Sequence, residues 1–237
     1  YLVDEDYFAD CGGGGSSVGD GTDGLTLQNC NNQTTITYYE YEYDLIGIGD
    51  QCWFAENLRA KNFNNGEPIT QGILANDNDY YLDGLDPKGF DYPCLPLGGS
   101  AGGDILAEEW FGLMYSGFCA IDNNVCPAGF HVPTITDFEI LMSVVGSEIY
   151  MNGAKLLDNY PWTYGTNEMG FSARLTAARN SGNCSGFGKA SFMSSEGSIN
   201  GNGIMKTSML AIDSDGYLSM DELSAVEWAA PIRCILD

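Results

Sequence analysis

The most specific chemical pattern in this chain lies between positions 211 and 222. Five residues there fit the third, fifth, sixth, eighth and twelfth positions of an EF-hand calcium loop: Asp213, Asp215, Gly216, Leu218 and Glu222. The first position falls on Ala211, whose side chain has no oxygen, and residues 201–208 are too rich in glycine for the helix that should precede such a loop. Calcium is therefore a candidate that the sequence does not favour, and we expect no cofactor. A vaguer acidic group, which we interpret as a solvated loop, comprises Asp77, Asp79, Asp83 and Asp86.

The only histidine, His131, lies between Phe130 and Val132 in an apolar turn. No serine or cysteine is marked as a nucleophile that this histidine could activate. We interpret His131 as a packed, hydrogen-bonded core residue rather than a ligand or a base. Because no acid/base pair, nucleophile, metal set or phosphate loop stands out elsewhere, we expect the protein not to be an enzyme.

The cysteines form an even, widely spaced set without any C-x-x-C motif, which together with the single histidine disfavours zinc clusters. Such a set is typical of disulfides, and disulfides indicate a location outside the cytosol. We expect all eight to be oxidised: Cys11, Cys30, Cys52, Cys94, Cys119, Cys126, Cys184 and Cys234. Asn32 and Asn183 have the form of glycosylation acceptors, and Asn32 is the better candidate because a cysteine occupies the middle of the second motif.

The composition excludes several classes of partner. The 33 acidic and 9 basic residues give a formal charge of −24, and Arg59 and Lys61 are the only close pair of bases, so binding to nucleic acid or to an anionic membrane surface is disfavoured. The sequence has no apolar run of about 20 residues that could span a bilayer. The start at Tyr1, without a leader peptide, favours a mature exported product.

The elements that would position these residues begin with a short N-terminal strand. Residues 1–10 carry four apolar side chains, and a tether rich in glycine, serine and aspartate completes a first unit over 1–24. A second unit, over 25–237, opens with strand-like residues up to position 48. Two helices are predicted in it: one over Asp104–Tyr115 with Asp104 as its N-cap, and one after Pro133 that ends at Gly146. The N-terminus of the second predicted helix has two capping candidates, Thr134 with Asp137 or Thr136 with Glu139. Its predicted buried face is Phe138, Leu141, Met142 and Val145.

Three separated blocks of the sequence resemble one known family. Residues 48–58 match the opening "IG-x-Q-x-W-x-x-ENL", residues 127–134 match "P-x-G-[WF]-H-[VI]-P-T", and Arg233-Cys234 matches a closing "RC". Between the second and third of these blocks, further matches at 153–156, 166–173 and 191–195 occur in the order of the family. Over about 41–237 the chain therefore resembles the Fibrobacter succinogenes major paralogous domain, a bacterial secreted or surface module.

The resemblance implies an α+β fold of the C-type-lectin-like, formylglycine-generating-enzyme-like superfamily. We expect a lectin-like domain with two main helices, short antiparallel strands and long disulfide-tied loops, preceded by the N-terminal strand on its Gly-rich tether. It further implies a hairpin turning at Ser214–Gly216 in place of a calcium loop, and a bridge between Cys126 and Cys234; Cys11 and Cys30 are a second candidate pair. The close cysteine pair of the formylglycine-generating relatives and the sugar-binding triplets of animal lectins are not matched.

Two functions are consistent with these features. The first is a non-enzymatic extracellular structural protein, a subunit of a self-assembling surface filament whose copies bind head to tail through Leu2, Val3, Tyr7 and Phe8. The alternative is a carbohydrate-binding surface adhesin of lectin-like fold. Its candidate stacking residues are Trp53, Trp110, Tyr80, Tyr81 and Trp162.

Overall fold

The computed structural model of the protein describes residues 30–71, 88–93, 105–146, 151–159, 164–180, 183–203, 205–225 and 227–237. Within these ranges the chain forms two β-sheets, which together make a half-barrel. The proposed boundary between residues 24 and 25 lies outside the described residues. No helix in the described part of the chain has the length and apolar character needed to cross a membrane.

The first sheet has five strands in the order β1-β2-β3-β13-β7, and every pair in it is antiparallel. The strands are β1 Thr35–Tyr38, β2 Tyr41–Ile48, β3 Gln51–Phe54, β7 Phe130–His131 and β13 Ile235–Leu236. The closing strand β13 therefore lies inside the sheet, between β3 and β7. This arrangement confirms the strand-like interpretation over residues 35–48, and residues 25–29 lie outside the described residues.

The second sheet has eight strands in the order β11-β10-β9-β8-β12-β6-β5-β4, and only the β4–β5 pair is parallel. The strands are β4 Thr70–Gln71, β5 Gly89–Asp91, β6 Met114–Ser116, β8 Thr176–Asn180, β9 Asn183–Ile199, β10 Met205–Asp213, β11 Leu218–Ser224 and β12 Trp228–Ala230. The long meander β9-β10-β11 forms most of this sheet.

The helices of the described residues are short. They are α1 Ile105–Phe111, α2 Gly117–Asp122 and α3 Ile135–Val145, with one 3₁₀ turn at Asn152–Lys155. The predicted α+β lectin-like fold with two main helices is therefore wrong, because the chain is mostly β and even its longest described helix, α3, has 11 residues. The glycine-interrupted residues after 172 form antiparallel strands, as expected, and one of these, β9, extends over 17 residues.

The helix after Pro133 is confirmed in detail as α3. Thr134 and Asp137 form the predicted capping box, in which each side chain accepts a hydrogen bond from the other's backbone N–H. Phe138, Leu141 and Val145 of the predicted face are buried, whereas Met142 is only half-buried, and Gly146 follows the last turn. Local sequence alone determines this element, because its cap, apolar stripe and stop signal all agree.

The helix predicted over Asp104–Tyr115 is only half correct, because α1 ends at Phe111. Gly112 adopts φ 69°, and a Cβ there would come within 2.7 Å of the Asn57 side chain and 2.9 Å of a backbone oxygen. The chain then turns into the buried strand β6, which contains Met114, a residue of the predicted apolar stripe, and Tyr115, the predicted last residue of the helix. The proposed N-cap, Asp104, lies outside the described residues.

Two apolar clusters fill the domain. One surrounds Tyr43, Phe54 and Tyr115, and the other packs α3 onto both sheets through Trp53, Phe138 and Phe171. The Trp53 ring stacks on Phe138 with their centroids 5.9 Å apart and meets the edge of Phe171 at 5.8 Å. The motif residue Trp53 is therefore part of the core that joins the two sheets.

Candidate functional site

A cleft of about 650 Å³ opens beside the turn that joins β1 to β2. Three parts of the chain line it: the turn with the start of β2, the segment after β3, and helix α1. The lining side chains belong to Tyr39, Glu40, Tyr41, Arg59, Lys61, Asn62, Glu108 and Glu109.

The turn at the mouth of this cleft has an unusual backbone. Tyr39 and Glu40 have φ values of 46° and 65°, and they connect the paired residues Tyr38 and Tyr41. Two left-handed residues make a type I′ hairpin turn, which usually contains asparagine and glycine. A tyrosine and a glutamate in this conformation cost roughly 1–3 kcal/mol each, and such strain clusters at functional sites.

Neighbouring contacts hold these side chains in place. The Tyr39 hydroxyl donates a hydrogen bond to the carbonyl of Phe63, and its ring centroid lies 4.5 Å from that of Tyr38. Tyr39 nevertheless remains 43% exposed, so an aromatic surface faces solvent at the mouth of the cleft.

Arg59 forms the floor of the cleft. Its guanidinium lies 4.0 Å from the centroid of the Tyr41 ring and 3.0 Å from the Glu56 carboxylate. It also donates hydrogen bonds to the carbonyls of Glu108 at 3.2 Å and Glu109 at 2.6 Å, which fixes helix α1 to the segment after β3. The arginine is therefore held rigidly, with its planar group beside an aromatic ring.

Charge is distributed around this floor. Lys61 pairs with the Glu108 carboxylate at 2.8 Å, and the Tyr41 hydroxyl donates to Glu56 at 2.5 Å. Burial, and after it the bond to Glu56, raises the pKa of Tyr41, so this hydroxyl stays protonated at neutral pH. A tyrosine face with hydroxyl, amide, guanidinium and carboxylate groups around it is suited to binding a neutral polyhydroxylated ring.

A second, smaller pocket of about 200 Å³ is lined in part by the buried Arg233. Arg233 donates to the side-chain oxygen of Asn57 at 2.9 Å, to the carbonyl of Ser172 at 3.1 Å and to the carbonyl of Phe171. Its guanidinium also lies 4.1 Å from the centroid of the Phe171 ring and 5.1 Å from that of Phe192.

Burial, and secondarily Arg174, lowers the pKa of Arg233 to about 9, so the side chain is still charged at neutral pH. Its donors are occupied by protein acceptors from two distant segments. Arg233 is therefore a structural latch between these segments and the closing part of the chain.

The motif blocks of the sequence meet around this latch. Asn57 of the first block bonds Arg233 of the last, Trp53 pairs with Ile235 across β3 and β13, and a disulfide joins Cys126 to Cys234. The family model of the Fibrobacter succinogenes major domain matches residues 46–235, which span all of these positions.

The chain belongs to the Fibrobacter succinogenes major domain family. No curated protein and no solved structure matches the chain. In this member of the family the motif residues Trp53, Asn57 and Arg233 are buried, so the motif maintains the fold and does not line the exposed cleft.

The motif histidine of the family domain, His131, is hydrogen-bonded as predicted but is not fully buried. Its Nδ1 lies 2.7 Å from the Asp237 carboxylate and its Nε2 lies 3.2 Å from Asp137, and 23% of the side chain is exposed. Burial alone would raise the pKa of Asp137, but hydrogen bonds from Thr134 and His131 outweigh that effect and lower it. His131 thus connects β7 to α3 and to the residue after β13.

The disulfides of the family domain agree in part with the predictions. The bridge between Cys126 and Cys234 is confirmed. Cys30 pairs with Cys52, so the predicted bridge from Cys11 to Cys30 is wrong; Cys30 lies beside β3, with the two Cα atoms 5.0 Å apart.

Cys184 is also disulfide-bonded, whereas Cys11 and Cys94 lie outside the described residues. Cys119 is buried and carries a thiol that donates to the Gly89 carbonyl at 3.4 Å. The expectation that all eight cysteines are oxidised therefore does not hold at Cys119.

The calcium-loop candidates are not brought together. Asp213 ends β10 and Asp215 lies in the turn, whereas Glu222 lies far along β11, opposite Ser208. At about 3.3 Å per strand residue, Glu222 is roughly 15 Å from the turn. The hairpin that the family resemblance implied is confirmed, and within the described ranges no three His, Cys, Asp or Glu side chains are placed to share a metal ion.

Asp213 has a structural role that leads to a prediction. Its carboxylate accepts the backbone N–H groups of Asp215 at 3.0 Å and Tyr217 at 2.9 Å. We expect Asp213→Ala to lower the free energy of unfolding by about 1 kcal/mol, because two donors of the turn lose their acceptor, and Asp213→Asn to lower it less. Urea unfolding should give the same loss with calcium and with chelator. A calcium-dependent stabilisation of the parent that Asp213→Ala abolishes would contradict this.

The remaining candidates are distributed over the domain. Trp53 is buried and cannot serve as a stacking surface, and Trp110 is half-buried with the Arg174 guanidinium 4.8 Å from its ring centroid. Asn32 is exposed in a turn with φ 61°, and Asn183 begins β9. The candidates outside the described residues are Leu2, Val3, Tyr7, Phe8, Asp77, Asp79, Tyr80, Tyr81, Asp83, Asp86 and Trp162.

The cleft itself was not predicted. Tyr39 and Tyr41 were interpreted only as strand residues, and Arg59 and Lys61 only as the one close pair of bases. One signal could have identified the site: an aromatic run with a tight turn, followed about 20 residues later by the only two neighbouring bases in an acidic chain. That Arg59 lies over Tyr41 depends on the pairing of β2 with β3, which the sequence does not reveal directly.

Proposed function

We propose that this protein is a non-enzymatic structural subunit of an extracellular surface filament, joined to its next copy through residues 1–10. The observation that carries the proposal is that, among the described residues, the outer strands of both sheets pair on one side only. The edge strands of the described sheets are β1, β7, β4 and β11. An open edge can add a strand from another chain, and residues 1–10 contain an apolar segment of suitable length.

The charge of the protein indicates what kind of contact this must be. Copies with a formal charge of −24 repel one another, so backbone hydrogen bonds and apolar burial must hold them together. Leu2, Val3, Tyr7 and Phe8 supply the apolar side chains. Disulfides such as Cys126–Cys234 support an extracellular location, where cross-linked subunits resist unfolding.

We predict that the double variant Val3→Asp/Tyr7→Asp remains monomeric under conditions in which the parent assembles. The added charges would have to be buried without partners, which costs more than the contact gains. Sedimentation velocity and electron microscopy would measure the assembly, and raised ionic strength should strengthen it in the parent by screening the repulsion.

The matched control is Asp4→Asn/Asp6→Asn, which changes the charge of the same segment without adding a buried charge and should still assemble. A parent that stays monomeric at every concentration and salt level would refute the filament function. A double variant that assembles like the parent would show that residues 1–10 are not the contact.

A second function is favoured by the cleft at the β1–β2 turn: carbohydrate binding by a surface adhesin. The observation behind it is the exposed Tyr39 beside the fixed pair of Arg59 and Tyr41. A sugar ring stacked on Tyr39 would have the guanidinium and the carboxylates of the rim within reach for hydrogen bonds.

For this second function we predict that Tyr39→Asn lowers the affinity for any glycan retained by the parent about tenfold, because a stacking surface is lost. Asparagine tolerates the left-handed backbone of the turn, so the fold should persist. Tyr164→Asn, at a residue that is 70% exposed elsewhere, is the control. A glycan array followed by calorimetry would test this, and equal affinities for both variants would exclude the cleft.

A further inference from the structure

We infer that the acceptor for the N-terminal segment is the groove between α3 and β11 of a neighbouring copy. This groove has a volume of about 630 Å³. One wall consists of Glu139, Met142 and Ser143 of α3, and the other consists of residues 218–221 of β11 and Tyr217, which precedes the strand. The inference rests on the proposed assembly and adds to it a specific place and orientation for the contact.

Strand length distinguishes β11 from the other open edges. β11 has seven residues, whereas β1 has four and β4 and β7 have two each. In the described part of the chain β11 pairs only with β10, so its second edge is available for a ladder. The segment Leu2–Phe8 also has seven residues and would match β11 along its length.

The lining of the groove is apolar on the side where a strand would enter beneath the helix. Met142 and Met220 are half-buried and pack against the cluster that contains Phe138 and Leu218. Tyr217 is 37% exposed at the rim. A strand added next to β11 would therefore extend an existing core and bury apolar surface that is now exposed.

The alternation of residues 1–10 fits such a position. In a strand Tyr1, Val3, Glu5, Tyr7 and Ala9 share one face, and the other face carries Leu2 and Phe8 together with three aspartates, Asp4, Asp6 and Asp10. With the first face under α3, Val3 and Tyr7 enter the groove, and the three aspartates face solvent beside Leu2 and Phe8. This orientation keeps the aspartates away from Glu139 and Asp221 of the groove and leaves Glu5 as the one acidic residue on the inward face.

The connecting chain is long enough to reach. Residues 11–29 number 19 and span at most about 65 Å, more than the roughly 40 Å width of a domain of this size. Cys30 is fixed to Cys52, so the tether begins at a defined point of the five-stranded sheet. The segment can therefore extend to the groove of a neighbour.

The experiment uses the full chain with a photo-activated benzoylphenylalanine in place of Tyr7. Unlabelled and ¹⁵N-labelled copies are mixed before assembly, and mass spectrometry locates the cross-link. We expect a cross-link between different copies to residues 139–146 or 217–221. In parallel, Met142→Glu and Ser143→Glu should raise the protein concentration needed for half-assembly at least about tenfold.

Ile140→Glu is the control, because Ile140 is a 40% exposed residue of the same helix outside the groove and the variant carries the same added charge. Ser143 is exposed, so its variant should fold even if Met142→Glu does not. Assembly with cross-links elsewhere, or equal assembly by all three variants, would overturn the groove but leave the filament function intact. A cross-link within one copy would show that the segment folds back. A parent that does not assemble would refute the function itself.

Discussion

Replacing Arg233 by alanine is expected to lower the free energy of unfolding by about 3–5 kcal/mol. The substitution removes the donor to the side chain of Asn57 and to the carbonyls of Phe171 and Ser172. These acceptors lie in or beside the interior and would be left without a partner in a space too buried for free exchange with water. The guanidinium also loses its contacts with the rings of Phe171 and Phe192.

Two further variants distinguish the hydrogen-bonding role of the Arg233 side chain from the effect of a positive charge alone. The Arg174 side chain is 27% exposed, so Arg174→Ala should lower the free energy of unfolding by only about 1 kcal/mol. Arg233→Lys keeps the charge but lacks the planar fork, and it should recover only part of the stability. Urea unfolding measures all three. If Arg233→Ala lowers the free energy of unfolding no more than Arg174→Ala does, the hydrogen bonds of Arg233 do not hold the domain together.

Features of the fold set by neighbouring residues were predictable, and features set by contacts between distant segments were not. The second predicted helix, α3, was placed correctly because its own residues Thr134 and Asp137 signal where it begins and Gly146 signals where it ends. The first was extended too far because Gly112 turns the chain where it meets Asn57, a residue 55 positions earlier. Leu113, Met114 and Tyr115 continue an apolar stripe in sequence but lie outside the helix.

The error in the fold class has a similar origin. Residues 183–199 contain three glycines, and such runs indicate short strands when propensity alone is considered. In the structure they form one 17-residue strand, β9, because β8 and β10 pair along its sides and supply hydrogen bonds that compensate for weak propensity. Resemblance to a family established the membership correctly, but the α+β superfamily fold attached to it, with two main helices and short strands, is contradicted by the three short helices and two large β-sheets of the described residues.

The candidate site could be predicted least. Its elements, a Tyr39–Glu40 turn and a pair of bases, are ordinary in sequence, and only the pairing of β1, β2 and β3 brings them to one cleft. The motif residues Trp53, Asn57 and Arg233, which carry the strongest sequence signal, are buried in the interior. In this domain the motif residues serve stability, and the surface available for binding is formed by residues outside the motif, such as Tyr39 and Arg59.

Removing the disulfide between Cys126 and Cys234 by alanine at both positions is expected to lower the free energy of unfolding by about 4–5 kcal/mol. The bridge closes a loop with a sequence separation of 108 residues, and the chain-entropy relation gives about 4.7 kcal/mol for a loop near that length. Since domains of this kind are stable by about 5–15 kcal/mol, the loss would be a large part of the total.

The Cys30–Cys52 bridge provides the matched control, because it closes a separation of only 22 residues and the same relation gives about 3.4 kcal/mol. The position of each bridge in the sheet increases the expected difference. Cys234 directly precedes β13, which lies between β3 and β7, and it follows Arg233, so the long bridge fixes the closing strand and the latch together. Urea unfolding of the two double variants should therefore rank the long bridge as the costlier loss. If removal of the Cys30–Cys52 bridge proves as costly or costlier, strand β13 is held by its neighbours without help from the disulfide.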